Sequence, residues 1–368
     1  MVNECKVDIR ELNSCIAPLD AAACSRARDK WNAVAKPIAS LGALEDAVVQ
    51  IAGLVGSEDF ALDKRIAVIM CSDNGVVAQG VSQCGSEVTT SVAESIARGT
   101  SSVCSMARPH HIDTVAVDVG METPAATGRV LDFNIARGTH DISCGPAMTV
   151  EQACQAIMAG VNLVELLKER GYKIIVSGEM GIGNTTTSSA LAVTLLGLDV
   201  DAAVGRGAGL SDAGLVRKVE AVRRAVEVNE PRADDVLDAL AKVGGFDIAA
   251  LAGLFIGGAI HRVPVVVDGF ISMVAAYIAA QLCPACTCAM LASHASAEPA
   301  ARAVGDKLAE ACLEQAGVRF RPVIYADMRL GEGTGAICLI PLLDSALALY
   351  NGSTFEASGI EAYEVNPQ

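Results

Sequence analysis

The sequence predicts an α/β fold: a parallel sheet flanked by helices, with a small helical subdomain formed from both chain ends. Three observations carry this. Short β-branched runs recur, each preceded by a helical pattern. The runs are mostly apolar rather than strictly alternating, as strands covered on both faces tend to be. Helical texture without such runs fills residues 1–60 and returns after residue 300. The expected division is a large α/β domain over 61–300 and a small helical domain from 1–60 plus 301–368.

In chain order, Leu41, Leu44, Val48 and Ile51 share one face of a helix that Gly56 can end. Residues 66–70 (IAVIM) read as the first strand and 114–119 (TVAVDV) as the second. Ala153, Ile157, Val161, Val164 and Leu167 line one side of a helix over 153–170, stopped by Gly171. Residues 173–177 form the next strand, 263–267 (VPVVV) another and 287–291 a further one. Helices are expected over 191–196 and along Val216, Lys218, Val219 and Val222. Residues 271–293 carry no charge and are long enough to span a bilayer. Gln281, Pro284, Thr287 and the lack of a second span favour a buried helix, a break at Pro284 and a buried strand, with no membrane contact. A loop over 327–335 precedes a last apolar helix over 336–343.

Composition excludes several function classes. The net charge is −15 and no long Lys/Arg run exists, so a nucleic acid would find no basic face. A single tryptophan and few other aromatics argue against a base-stacking reader. A phosphorylated substrate would need locally positive ground, from helix N-termini and one or two cations. The opening MVNECKVDIR has no apolar signal core, and thirteen cysteines lie scattered without framework spacing. Both fit free thiols in a reducing cytoplasm.

In parallel sheets ligands bind at the carboxyl ends of the strands. That rule selects the loops at 71–76, 178–181 and 268–270 and the segment from Gly120 onward. Residues 178–190, GEMGIGNTTTSSA, make a glycine-rich turn between strand and helix. The spacing is not that of a Walker A loop or a dinucleotide fingerprint. Gly181 and Gly183 allow close backbone approach. Asn184, Thr185 and Thr186 can cap the next helix and donate to an anion. Glu179 beside such a cradle is costly unless it faces a hydroxyl or a developing positive charge. A second glycine-rich loop, GRGAGLSD at 205–212, makes Arg206 and Lys218 candidate phosphate cations. A nicotinamide-dependent oxidoreductase would rest on this loop alone. RLGEGTG at 329–335 sets Glu332 among glycines, which frees the acid to point into a pocket. Cys283, Cys286 and Cys288 contain a C-x-x-C with only His294 near as a further ligand. Their apolar setting favours buried thiols, and no metal is expected. The segment 293–296, Ser293-His294-Ala295-Ser296, follows a strand and is expected to line a pocket. No G-x-S-x-G elbow supports a serine hydrolase.

GEMGIGNTT and RLGEGTGA, together with the segments at 73–89, 136–149, 205–210, 268–272 and 292–299, resemble the nicotinate-nucleotide–dimethylbenzimidazole phosphoribosyltransferases. The likeness covers roughly residues 30–345. It implies transfer of 5-phosphoribose from nicotinate mononucleotide to a benzimidazole-type base. The products are nicotinate and an α-ribazole 5′-phosphate for cobamide nucleotide-loop assembly. It also implies a Rossmann-like sheet, a homodimer, and no metal or redox cofactor. By the family match Glu332 is the general base and Glu179 lies near the ribose. Gly181, Gly183, Asn184, Thr185, Lys218 and Arg206 would hold the phosphate and nicotinate ends. Ser82, Thr90, Ser293, Leu330 and Gly331 complete the expected substrate-binding set.

Two departures from the family pattern stand out. Asn74 occupies a position where relatives often carry histidine, and Thr90 and Ser91 stand where relatives commonly offer a glutamine. Both are expected in the base pocket and leave the acceptor open. The alternatives are a phenolic or other lower-ligand base, with a paralogue as heterodimer partner, or a non-catalytic partner subunit of the same fold.

Overall fold

The apolar runs pair into one six-stranded sheet in the order β3-β2-β1-β4-β5-β6, in a computed structural model that describes residues 8–363. The strands are β1 (Arg65–Ser72), β2 (Ile112–Gly120), β3 (Leu131–Asp132), β4 (Ile174–Met180), β5 (Val265–Val267) and β6 (Met290–Ala292). Every pairing is parallel. β1 is buried from Ile66 to its end and β5 throughout, as continuous apolar strands covered on both faces require. From β1 the order runs through β2 to β3 on one side and through β4 to β6 on the other. The crevice outside the carboxyl ends of β1 and β4 is therefore the switch point where ligands bind in this architecture.

The sheet differs from the sequence expectation at two places. β3 has no counterpart there, because a two-residue strand, Leu-Asp, carries no periodicity to read. The strand expected over 287–291 begins later. Pro284 opens a 3-10 helix over Pro284–Ala289, Thr287 Oγ1 donates to Pro284 O at 2.9 Å, and β6 starts only at Met290. The apolar stretch at 271–293 is thus a buried helix (Phe270–Leu282), that turn and β6. No helix among the described residues is long and apolar enough to cross a membrane.

Two glycines set how closely two of the flanking helices approach each other. Helix Val150–Glu169 starts at a capping box between Thr149 and Gln152 and packs along helix Phe246–Ile260. A Cβ on Gly253 would overlap Ile157 O, and one on Gly160 would overlap Ala250 O. Both obstacles are helix backbone and cannot rotate away. Gly253→Ala is expected to destabilise the protein by ~3 kcal/mol. Gly197→Ala, at φ +64° with open space around it, should cost only about 1 kcal/mol. Urea midpoints of the two variants test this, and equal shifts would contradict it.

The chain ends meet beside the sheet. Trp31, Val48, Ala346 and Tyr350 share a buried cluster, with the Trp31 and Tyr350 rings 4.9 Å apart. They come from helices Ala21–Ala33, Ala43–Val55 and Leu339–Tyr350. Two terminal elements pack elsewhere. Ile9 and Leu12 of the 3-10 helix Ile9–Cys15, and Val304, Leu308 and Cys312 of helix Ala301–Ala316, join the main core.

Candidate active site

The loops at the carboxyl ends of β4, β5 and β6, the turn at 81–84, the glycine loop at 206–210 and the segment 328–335 enclose one cavity of about 350 Å³. Its size suits a small ligand. Glu179 and Glu332 line it, as do Ser82, Gly181, Gly183, Asn184, Thr185, Arg206, Lys218, Leu330 and Gly331.

Part of the lining is built for an anion. Gly183, at φ +94°, turns the chain into helix Asn184–Leu196, whose first turn opens on the cavity. Lys218, from helix Asp212–Asn229, is only 1% exposed and donates to Thr185 Oγ1 at 2.7 Å. Gly207, at φ +52°, presses the 206–210 loop onto this pair; a Cβ there would sit 2.9 Å from Thr185 Oγ1. Burial lowers the Lys218 ammonium to about 8, against the opposing pull of Glu298. A bound phosphate dianion would raise it again. Arg206 lines the cavity too, but its guanidinium already serves Leu210 O at 2.8 Å and Asp212 at 2.5 Å.

The same cavity holds two acids. Glu332 sits at φ +57° between Gly331 at +86° and Gly333 at +78°. A non-glycine residue in that region stores strain of about 1–3 kcal/mol, which the surroundings must fix. They do so from several sides. Thr334 Oγ1 donates to Gly331 O at 2.7 Å, and Ala336 N donates to Asp268 Oδ1 at 2.8 Å. A Cβ on Gly178 of β4 would lie 2.8 Å from the Glu332 carbonyl carbon, so the loop rests directly on the strand. Glu332 Oε2 accepts from Val103 N at 3.4 Å. Glu179, at the end of β4, has its Oε1 beneath Gly331, 2.8 Å from where a Cβ would be. Both carboxylates therefore belong to one wall.

Asn184 does not cap its helix as expected. Its Nδ2 donates to Glu179 Oε2 and, at 2.8 Å, to Asp247 Oδ2, while Gly183 takes the capping position. Two carboxylates without a cation attract the amide more strongly than a helix end does. Burial, with the Asp247 charge behind it, pushes Glu179 up to about 8, and burial pushes Asp247 up to about 6. Glu332 is also raised by burial.

These shifts have a consequence for stability. A carboxyl raised in the folded state favours folding fully below its unfolded value and loses that contribution as pH rises through the folded one. Stability of the ligand-free protein should therefore fall between pH 4.5 and about 8, and Glu179→Gln should flatten that slope. Urea denaturation across this range tests it; parallel slopes in the two proteins would contradict it.

Two expected residues lie elsewhere. Thr90 is on helix Glu87–Ala97, where Val88 and Val92 face the cavity four residues apart. Thr90, two positions from each, points away and donates to Thr123 O at 2.9 Å. Ser91 is exposed. Ser293 Oγ donates to Val267 O at 2.6 Å and lies 3.0 Å from His294 Nδ1, and it is His294 that reaches the cavity. Asn74 is fully buried, its Nδ2 donating to Ile182 O at 3.3 Å beneath the glycine turn. Contrary to the expectation that places the departures at 74, 90 and 91 in the base pocket, none of them lines the cavity. Its apolar lining includes instead Val81, Val88, Val92, Met180, Phe270 and Leu330.

Sequence reasoning reached Asp268 and His294 only as parts of the loops at 268–270 and 293–296, both of which line the cavity, and missed Asp247. Asp247 left one signal: it is the sole charged residue of helix Phe246–Ile260. Cys283, Cys286 and Cys288 are buried free thiols, with Cys283 Sγ donating to Ile9 O at 3.2 Å.

A family model described as phosphoribosyltransferase matches residues 16–360. The chain is 43% identical over 350 residues to a nicotinate-nucleotide–dimethylbenzimidazole phosphoribosyltransferase of Ruminiclostridium cellulolyticum, covering 95% of this chain and 97% of that one. It is 41% identical over 336 residues to the protein of the same name from Acetivibrio thermocellus, covering 91% and 93%. The crystal structure of the protein of that name from Thermus thermophilus superposes with a TM-score of 0.82 at 33% identity, over 93% of this chain and 99% of that chain.

Proposed function

Because this chain belongs to the nicotinate-nucleotide–dimethylbenzimidazole phosphoribosyltransferase family, we propose that it moves 5-phosphoribose from nicotinate mononucleotide to a benzimidazole-type base, with Glu332 as general base. It is an enzyme of the glycosyltransferase type. The observation that best supports this assignment of roles is the meeting of opposite chemistries in one cavity. A buried lysine bonded to Thr185, the helix start at Asn184, two raised carboxyls and a set of apolar side chains all line it, and Asn184 joins the helix start to Glu179.

The chemistry asks for that layout. Cleaving a glycosyl C–N bond builds positive charge on the ribose ring, as in glycoside hydrolysis. The nicotinate nitrogen of the donor is already cationic, so its departure needs no proton. The incoming base must lose its other N–H proton as the new bond forms, which makes that proton far more acidic. Glu332, raised by burial and strapped in one conformation, is the acceptor. Glu179 stands on the ribose side, where a carboxylate stabilises the developing charge. Lys218 with Thr185 and the turn at Gly181–Gly183 hold the phosphate. Ser82 and Leu330 sit at the base side with the valines.

The same reading extends to a homodimer in the cytoplasm, with the large and small domains divided near residues 60 and 300. Incubation with nicotinate mononucleotide and dimethylbenzimidazole should release nicotinate only when both are present. Release at the same rate without the base would argue against a transferase.

A further inference from the structure

Glu179 and Asp247 are two buried acids joined by one amide. Asn184 Nδ2 gives one hydrogen to each, Asp247 is fully buried, and Glu179 is 6% exposed. The groups that face them are also acids: Asp73 after β1, Asp268 after β5, Glu332 from the strained loop, and the buried Cys71 thiol of β1. Among the described residues no lysine, arginine or histidine hydrogen-bonds to either carboxylate; Lys218, in the same cavity, is committed to Thr185. Two ionised carboxylates sharing a dry site without a cation cannot both persist, so one keeps its proton. Hydrogen bonding decides which. Asp247 accepts from Asn184 and, at 3.0 Å, from Ile248 N, while Glu179 accepts only from Asn184. The better-solvated anion is Asp247, and the proton resides on Glu179.

We propose that Asp247, which does not line the cavity, is a positioning residue whose charge, held beside Glu179 by the Asn184 amide they share, keeps Glu179 protonated until the donor nucleotide binds. The second half rests on the donor assignment above. Nicotinate mononucleotide brings a pyridinium cation to the acids. The Glu179 O–H bond then breaks, its proton passes to solvent, and the carboxylate is ionised before positive charge develops on the ribose. Binding is thereby coupled to release of a proton.

Carbon-13 NMR of the ligand-free protein, labelled at the glutamate side-chain carboxyls, tests the first half. The resonance lost in Glu179→Gln identifies the group. It should titrate above pH 7 in the native protein and lower by roughly one unit or more in Asp247→Asn, where the neighbouring charge is gone. Asp247→Ser serves if the first variant folds poorly. A native midpoint below pH 6, or one unmoved in the Asp247 variants, would overturn the proposal. A purely structural Asp247 would change the unfolding midpoint and leave the titration alone. Calorimetry of nicotinate mononucleotide binding at pH 7, in two buffers of different ionisation heat, tests the second half. The native protein should release close to one proton and Asp247→Asn distinctly fewer; equal release would count against the coupling. If the nucleotide does not bind at all, the donor assignment fails, and the ligand-free titration still decides the role of Asp247.

Discussion

Glu332→Gln is expected to bind nicotinate mononucleotide about as well as the native protein and to turn over on the order of 10²–10⁴-fold more slowly. The size of the loss follows from what the residue does and how it is held. Gln keeps the shape and can still accept from Val103 N, so the loop that rests on β4 has no reason to move. Only the capacity to take a proton is lost. On the proposed roles the donor's phosphate is held by Lys218 and does not need that capacity, so the effect should appear in the chemical step. Single-turnover rates with the base saturating separate the two. A variant with unchanged turnover would remove Glu332 from the role of base. A variant that fails to bind the nucleotide would make it a binding residue instead.

Lys218→Met should have the second-largest effect, and on a different constant. The side chain is buried, similar in volume to Met, and donates to Thr185 Oγ1 from a position under the 206–210 loop. A charge-assisted bond to phosphate contributes about 1.5–3 kcal/mol, so the KM for nicotinate mononucleotide should rise roughly 10- to 150-fold. The turnover at saturation should change far less, because the phosphate is bound alike before and during the transfer. Stability should hold or improve, since a desolvated ammonium without a carboxylate partner is replaced by an apolar chain. Steady-state kinetics and a denaturation midpoint check both halves. An unaltered KM would place the phosphate elsewhere.

The difference between what could and could not be read beforehand has a physical origin. Strands β1, β2 and β4 were legible because a strand covered on both faces is built mainly of apolar, β-branched residues. Glu332 was legible because glycines around one acid mark a loop that must come close to something. Gly331, Glu332 and Gly333 indeed all take positive φ. Lys218 was legible only as one cation among several. Nothing local distinguishes a lysine 1% exposed from one in solvent, and Arg206 looked equally able until its guanidinium proved occupied. Thr90 misled because a motif gives neighbours in sequence, whereas a helix turns about 100° per residue and brings Val88 and Val92 to the cavity instead. Asp247 lay beyond reach for a related cause: its partner, Asn184, is 63 residues away, and only the packing of its helix against the sheet joins them.

The most direct test is the product itself. Nicotinate mononucleotide and dimethylbenzimidazole, incubated with the native protein, should give nicotinate and ribazole 5′-phosphate in equal amounts, with the ribazole in the α configuration by its anomeric proton resonance. The same mixture with Glu332→Gln should give almost none. Nicotinate accompanied by free ribose 5-phosphate, with no ribazole, would show water rather than the base accepting the ribose and would contradict the account.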